Sequence, residues 1–225
     1  MEITQQFTQQ SGFLIFRPNL LALRLKAKHT VVAAGSSRGG TSIISYALAR
    51  AGFNLGSTAD LNHEDIEILG SIRNKTALRK IFNQRNVAHD VWGFKVPEAA
   101  YYFDWLDMEL RNPIFIYVMR NPASIARSIM LRDPIYGTGA NGYAGALSHG
   151  LRYYIHFAET LKRIQSPVLI VEYEAILQNP IGFCSDFYSC LGIELENKLI
   201  SEIAEKMSKP GYKTIEKNSE EKSSG

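Results

Sequence analysis

TVVAAGSSRGGTSIISYALARAG, residues 30–52, reads as a strand, a tight turn and a helix in direct succession. Thr30–Ala34 is a short apolar, β-branched run that stops at Gly35. From Gly40 to Arg50 the apolar residues Ile43, Ile44, Ala47 and Leu48 recur at helical spacing, and Gly52 supplies a stop. Between them lies Gly35-Ser36-Ser37-Arg38-Gly39-Gly40-Thr41-Ser42. Glycines let such a backbone curl until successive N–H groups face inward. The helix that follows adds free N–H groups and the positive end of its dipole. A turn of this kind, framed by strand and helix, binds the phosphate groups of a nucleotide. The candidate ligands are Ser37, Arg38, Gly39, Gly40, Thr41 and Ser42, through backbone N–H groups, hydroxyls and one guanidinium.

Downstream the same alternation continues. Val91–Val96 reads as a second strand, closed by Pro97, and Glu98–Leu110 as a helix rich in aromatics. Ile114–Met119 is an uncharged run of the kind a sheet buried on both faces requires. Ala123–Leu131 is helical, Arg132–Gly142 is a glycine-rich loop, and Tyr143–Ile164 is a long helix. Val168–Val171 is another buried strand, followed by helices over Pro180–Leu191 and Leu195–Met207. Residues from His63 to Phe82 read as helical, and Phe13–Leu25 as a helix packed on the domain edge. Strands alternating with helices imply an α/β protein: three layers, α/β/α, with a central, mostly parallel sheet, like the P-loop NTPases. The expected organisation is a single domain over residues 1–216 and a disordered polar tail over 217–225.

Bulk properties narrow the function. A net charge of +3 in 225 residues gives no argument for nucleic acid. No apolar run is long enough to span a membrane, and the N-terminus lacks the pattern of a secretory signal, so a cytoplasmic protein is expected. Cys184 and Cys190 lie six apart on a predicted helix and point to different faces, which disfavours a disulfide between them. No cysteine or histidine cluster suggests a metal.

The spacing from Gly35 to Gly40 is that of a P-loop, G-x-x-x-x-G-K-[ST], but Thr41 stands at the lysine position and the cation is Arg38, inside the turn. That shift argues against ordinary ATP or GTP hydrolysis. A second phosphate site is expected where Ile114–Met119 ends. Arg120 follows at the carboxyl edge of the sheet, and Ser128 lies about two turns into the next helix. Two phosphate sites imply a nucleotide phosphorylated at two places.

With these segments on the page, the sequence resembles the sulfotransferases that use PAPS (3′-phosphoadenosine 5′-phosphosulfate). GSSRGGTSIISYALARAG is similar to the family's 5′-phosphosulfate loop, YVMRNPASIARS to its 3′-phosphate motif, and VLIVEYEAILQNP to its later strand and the continuation of that strand. LNHEDIEI and WGFKVPE resemble weaker landmarks, and the matches spread over roughly residues 30–195. Arg in the loop is closer to the bacterial and carbohydrate-type branch than to the small-phenol enzymes. The resemblance implies transfer of a sulfuryl group from PAPS, leaving PAP, to a hydroxyl or amine of a small-molecule or glycan acceptor, with no metal required. It also implies that Arg38 neutralises the leaving 5′-phosphate and that Lys95 lies near the transferred group, although Val96 replaces the acid that usually follows this lysine.

The proton acceptor is sought in the acceptor-side landmark. Glu64 and His63 lead, with His149 and His156 behind them. Tyr101, Tyr102, Phe103 and Trp105 are either an acceptor wall or a core helix face. Lys209-Pro-Gly-Tyr-Lys213 either returns over the nucleotide or is a solvated tail. Two other functions stay open at this stage. One is a P-loop kinase, supported by the apolar run that ends in Glu172; the other is a non-catalytic nucleotide-binding protein of the same fold.

Overall fold

The computed structural model describes residues 7–56, 63–132, 134–137 and 139–209. Six strands form one sheet. They are β1 (Phe7–Gln10), β2 (Phe13–Phe16), β3 (His29–Gly35), β4 (Val91–Lys95), β5 (Pro113–Met119) and β6 (Val168–Glu172), in the spatial order β1-β2-β6-β5-β3-β4. β3 to β6 run parallel, and the β1–β2 hairpin adds antiparallel to the far side of β6.

The expected three layers are present, and the strand sequences show why. Along β3, Val31 and Ala33 face one core while Val32 and Ala34 face the other. β5 divides in the same way, with Ile114, Ile116 and Val118 on the first face and Phe115 and Tyr117 on the second. The first face is covered by α1 (Pro18–Leu25), α2 (Thr41–Arg50), α9 (Pro180–Cys190) and α10 (Asn197–Met207). The second carries α3 (Ile66–Ser71), α4 (Lys75–Ala88), α5 (Phe103–Glu109) and α7 (Gly139–Leu161). α6 (Pro122–Met130) packs on α7, and α8 (Tyr173–Gln178) leads from β6 into α9. A strand buried on both sides needs apolar residues at every position, which is why β3 and β5 lack the alternation of a half-exposed strand.

Several elements differ from the sequence reading. Only the second half of 13–25 is helical. Phe13–Phe16 instead pairs with the open edge of β6, Phe13 opposite Val171, and Pro18 starts the helix where its missing N–H costs nothing. The helix expected from His63 begins at Ile66 and breaks at Asn74, whose side chain caps α4 by accepting from the Ala77 N–H at 3.1 Å. Residues 97–102 form a 3-10 helix before α5. α7 starts at Gly139, before Tyr143, because Gly142 leaves room for the Tyr136 carbonyl; a Cβ there would stand 2.4 Å from that oxygen. Residues 210–225, including Pro210 to Lys213 and the expected tail, lie outside the described residues.

Residues 63–65 are held against the end of β4. The Asp65 N–H donates to the Lys95 carbonyl at 3.1 Å. The fully buried Asp65 carboxylate caps α3 by accepting from Glu67 and Ile68 and is gripped by both Nη atoms of Arg85. Removing one partner of a buried, hydrogen-bonded ion pair typically costs about 3–5 kcal/mol. Asp65→Ala should therefore lower Tm by about 10 °C in a domain of this size. Asp65→Asn, which keeps the cap acceptor, should lose less. Thermal unfolding followed by circular dichroism checks both.

Candidate active site

Four parallel strands deliver their carboxyl ends to one place. Ala33 stands opposite Lys95, Gly35 opposite Val118, and Met119 opposite Glu172. The turn 36–40, Lys95, Arg120 and Tyr173 therefore emerge from neighbouring strand ends, beside the point where successive strands pass to opposite sides of β3.

The turn is tightly wound. The Gly39 N–H donates to the Ser36 carbonyl at 2.8 Å, and the Ser36 hydroxyl donates to the Ser37 carbonyl at 3.0 Å. Arg38 takes a left-handed backbone with φ 61°, and its side chain is exposed. Gly40, φ 84°, starts α2, and a Cβ there would lie 2.3 Å from the Tyr173 ring. Thr41 and Ser42 are buried in the first turn of α2.

Arg120 is wired to this turn, so the two expected phosphate segments form one continuous surface. Its Nη1 donates to the Arg38 carbonyl at 3.0 Å, and its guanidinium carbon lies 4.7 Å from the centre of the Tyr173 ring. Nε is enclosed and has no hydrogen-bond partner. The Tyr154 hydroxyl holds the Arg120 backbone, accepting from its N–H at 2.9 Å and donating to its carbonyl. Ser128 is half-buried near the end of α6.

Lys95 does not reach solvent. It is 1 % exposed, and its Nζ donates to Glu64 Oε1 at 2.8 Å. A buried ammonium needs an acidic partner. The residue next in sequence is the buried Val96, so the acid comes from the 63–65 segment instead. Glu64 precedes α3 and is not a first-turn helix residue, and His63 beside it is buried with φ 55°.

A cleft of about 720 Å³ opens next to the turn. Ser37 borders it, and its hydroxyl lies 3.3 Å from the Tyr153 hydroxyl. Burial pushes the Tyr153 phenol up to about 12, so it stays protonated at neutral pH. Tyr101 and Tyr102 form part of the wall, whereas Phe103 and Trp105 belong to the core, so the aromatic cluster divides between its two readings. His149 lines the cleft against Tyr153, and His156 Nε2 lies 3.2 Å from the Tyr101 carbonyl; both are half-buried. A second cavity, about 530 Å³ between α1 and α9, contains none of the candidate site residues. Among the described residues no three of His, Cys, Asp or Glu gather as a metal site, and no helix is long and apolar enough to cross a membrane.

The sequence matches the sulfotransferase family over residues 45–197. The chain belongs to that family. Sulfuryl transfer is thus its reaction class, and the kinase reading of the strand ending in Glu172 gives way. No curated protein matches the sequence at a significant level. Among solved structures the fold is similar to the sulfotransferase domain from the curacin biosynthetic pathway, with TM-score 0.54 and 16 % identity over 77 % of this chain and 76 % of that one. It is also similar to sulfotransferase STF1 from Mycobacterium tuberculosis H37Rv, with TM-score 0.53 and 14 % identity over 84 % and 73 % of the two chains.

In this sulfotransferase the sequence reading gave no site role to Tyr173, Tyr153 or Tyr154. Tyr173 carried a usable signal, since it directly follows the end of a buried strand. The adjacent tyrosines on α7 carried none, because helical spacing alone does not say which strand end a long helix passes.

Gly40→Ala meets both a left-handed φ and the Tyr173 ring. Backbone strain of this kind costs about 1–3 kcal/mol. The variant should lose at least that much stability in chemical denaturation.

Proposed function

We propose that this sulfotransferase transfers the sulfuryl group of PAPS to a hydroxyl or amine of a small-molecule acceptor and releases PAP. The observation that carries the donor assignment is Arg120. It is held on the turn through the Arg38 carbonyl and the Tyr173 ring, and an enclosed N–H remains to be satisfied. A doubly phosphorylated nucleotide fits this arrangement. The backbone N–H groups of Ser37 to Ser42 would cradle its 5′ end, and Arg120 and Ser128 would hold its 3′-phosphate. The exposed Arg38 guanidinium is free to turn onto the bridging phosphate oxygen as the sulfur–oxygen bond breaks. No divalent cation is needed, because the charge that develops is met by guanidinium, ammonium and N–H groups. Two unbridged cysteines fit a cytoplasmic location.

On the acceptor side, Glu64 takes the proton as the acceptor oxygen or nitrogen attacks sulfur. Lys95 neutralises the sulfuryl oxygens from the end of β4 and, before the donor arrives, is held by Glu64. His63 supports that segment from a buried position. A cleft of about 720 Å³ is the size of a small-molecule site, which favours such an acceptor over a long glycan.

Calorimetry with PAP and AMP tests the donor assignment. AMP lacks the 3′-phosphate, and charge-assisted hydrogen bonds of about 1.5–3 kcal/mol make PAP the tighter ligand by about 10- to 100-fold. Arg120→Ala should bring the two together, and equal affinity in the native protein would remove the basis for the assignment. Arg38→Ala should lower turnover by about 10²-fold, more than it weakens PAP binding.

Glu64→Gln separates base from structural partner. Loss of a general base typically lowers the rate by about 10²–10⁴-fold. PAP affinity should stay near the native value, since the base faces the acceptor. If turnover holds while Tm falls, Glu64 serves only to neutralise Lys95.

A further inference from the structure

The wall of the cleft beside the turn carries both charged and apolar residues. Arg73, just before the cap of α4, and Arg152, on α7, border it and are exposed. Neither guanidinium forms an ion pair among the described residues. Glu98 lies three residues beyond Lys95 and is the one acid among the described lining residues. It is half-buried, and its Oε2 is enclosed without a hydrogen-bond partner. Its charge acts on Tyr101, as does that of Arg152, and on Tyr153; the two tyrosine rings stand 4.5 Å apart between centroids. Tyr102, Leu69 and Ile72 complete the apolar part of the wall.

An enclosed carboxylate oxygen without a donor is costly unless a ligand supplies one. A hydroxyl or an amine would do so. Two exposed arginines of the same wall attract the opposite kind of group. The polar groups thus orient a ligand: its donor toward the enclosed Glu98 oxygen, its negative charge toward the exposed arginines, its flat apolar body along the tyrosines.

We infer that the acceptor is a flat, apolar alcohol or amine that also carries an anionic group. Arg73 and Arg152 hold the anion, the tyrosine rings pack on the body, and Glu98 accepts a hydrogen bond from a hydroxyl or amine of the bound acceptor. This inference rests on the reading that the turn holds the donor, because that reading makes the cleft bordered by Ser37 the acceptor site.

The test uses 3-(4-hydroxyphenyl)propanoate and its neutral amide, 3-(4-hydroxyphenyl)propanamide, titrated into the full chain saturated with PAP. The carboxylate should bind at least about 10-fold more tightly, with a preference that shrinks as salt is raised. Arg73→Ala combined with Arg152→Ala should bring the ratio close to one, and Arg152→Glu should reverse it. Both side chains are exposed, and an unchanged Tm shows that the variants fold. Glu98→Leu should weaken both compounds alike, because it removes the partner of the group they share. Equal binding, a preference for the amide, or no binding of either compound overturns the inference. The PAP titration that precedes it judges the donor assignment separately. If PAP fails to bind, that assignment falls, and the carboxylate-to-amide ratio is then read on the protein alone.

Discussion

Tyr173 lies against Gly40 so closely that no side chain fits at position 40. That contact brings the end of β6 against the turn that follows β3. Arg120, from the end of β5 between them, lies over the same tyrosine and donates to the turn's own carbonyl. Three parallel strands are therefore locked together at their carboxyl ends by one ring, one guanidinium and one missing Cβ. Most of the arrangement is rigid before any ligand arrives, which reduces the entropy that binding must overcome.

Electrostatics fixes the fourth strand end. Lys95 is buried at the end of β4, and a buried ammonium without a counter-charge would be strongly unfavourable. Glu64 supplies the charge, and Asp65 beside it is anchored by Arg85, whose guanidinium also lies 5.3 Å from the Trp92 ring centre. The 63–65 segment is thus tethered by two acids in succession, Glu64 to Lys95 at the end of β4 and Asp65 to Arg85 of α4.

Much of this could be read from residues alone. β3, β5 and β6 announce themselves as unbroken apolar runs, and the glycines and Arg38 mark the turn, because local sequence carries both signals. Arg120 was placed at a strand end by the same logic. Its bond to the Arg38 carbonyl was not visible, since it spans 82 residues and depends on how β3 and β5 register. The hairpin Phe7–Phe16 escaped for a related reason. Phe13–Phe16 becomes a strand only because β6 offers it an edge, which is a tertiary override of local pattern. Glu64 was singled out from a motif, but its partner Lys95 lies 31 residues away, and only the Asp65 contact with the β4 end brings them together. The cleft needed η-turn, helix and loop surfaces at once, and no window of sequence contains them.

The hairpin also bears on how the protein behaves in a crowded solution. Every open sheet has two margins with unpaired backbone groups, and each is a template for another strand. Here β1 forms one margin with only four residues, and Gln9 and Gln10 on it are exposed. At the other, the Gly93 N–H of β4 is already taken by the Asn54 carbonyl at 2.8 Å, and the Phe53 ring packs where a side chain at 93 would stand. The intervening strands are aliphatic enough to seed fibrils if bared. With one margin short and polar and the other covered by its own chain, the sheet is protected against edge-to-edge association between copies.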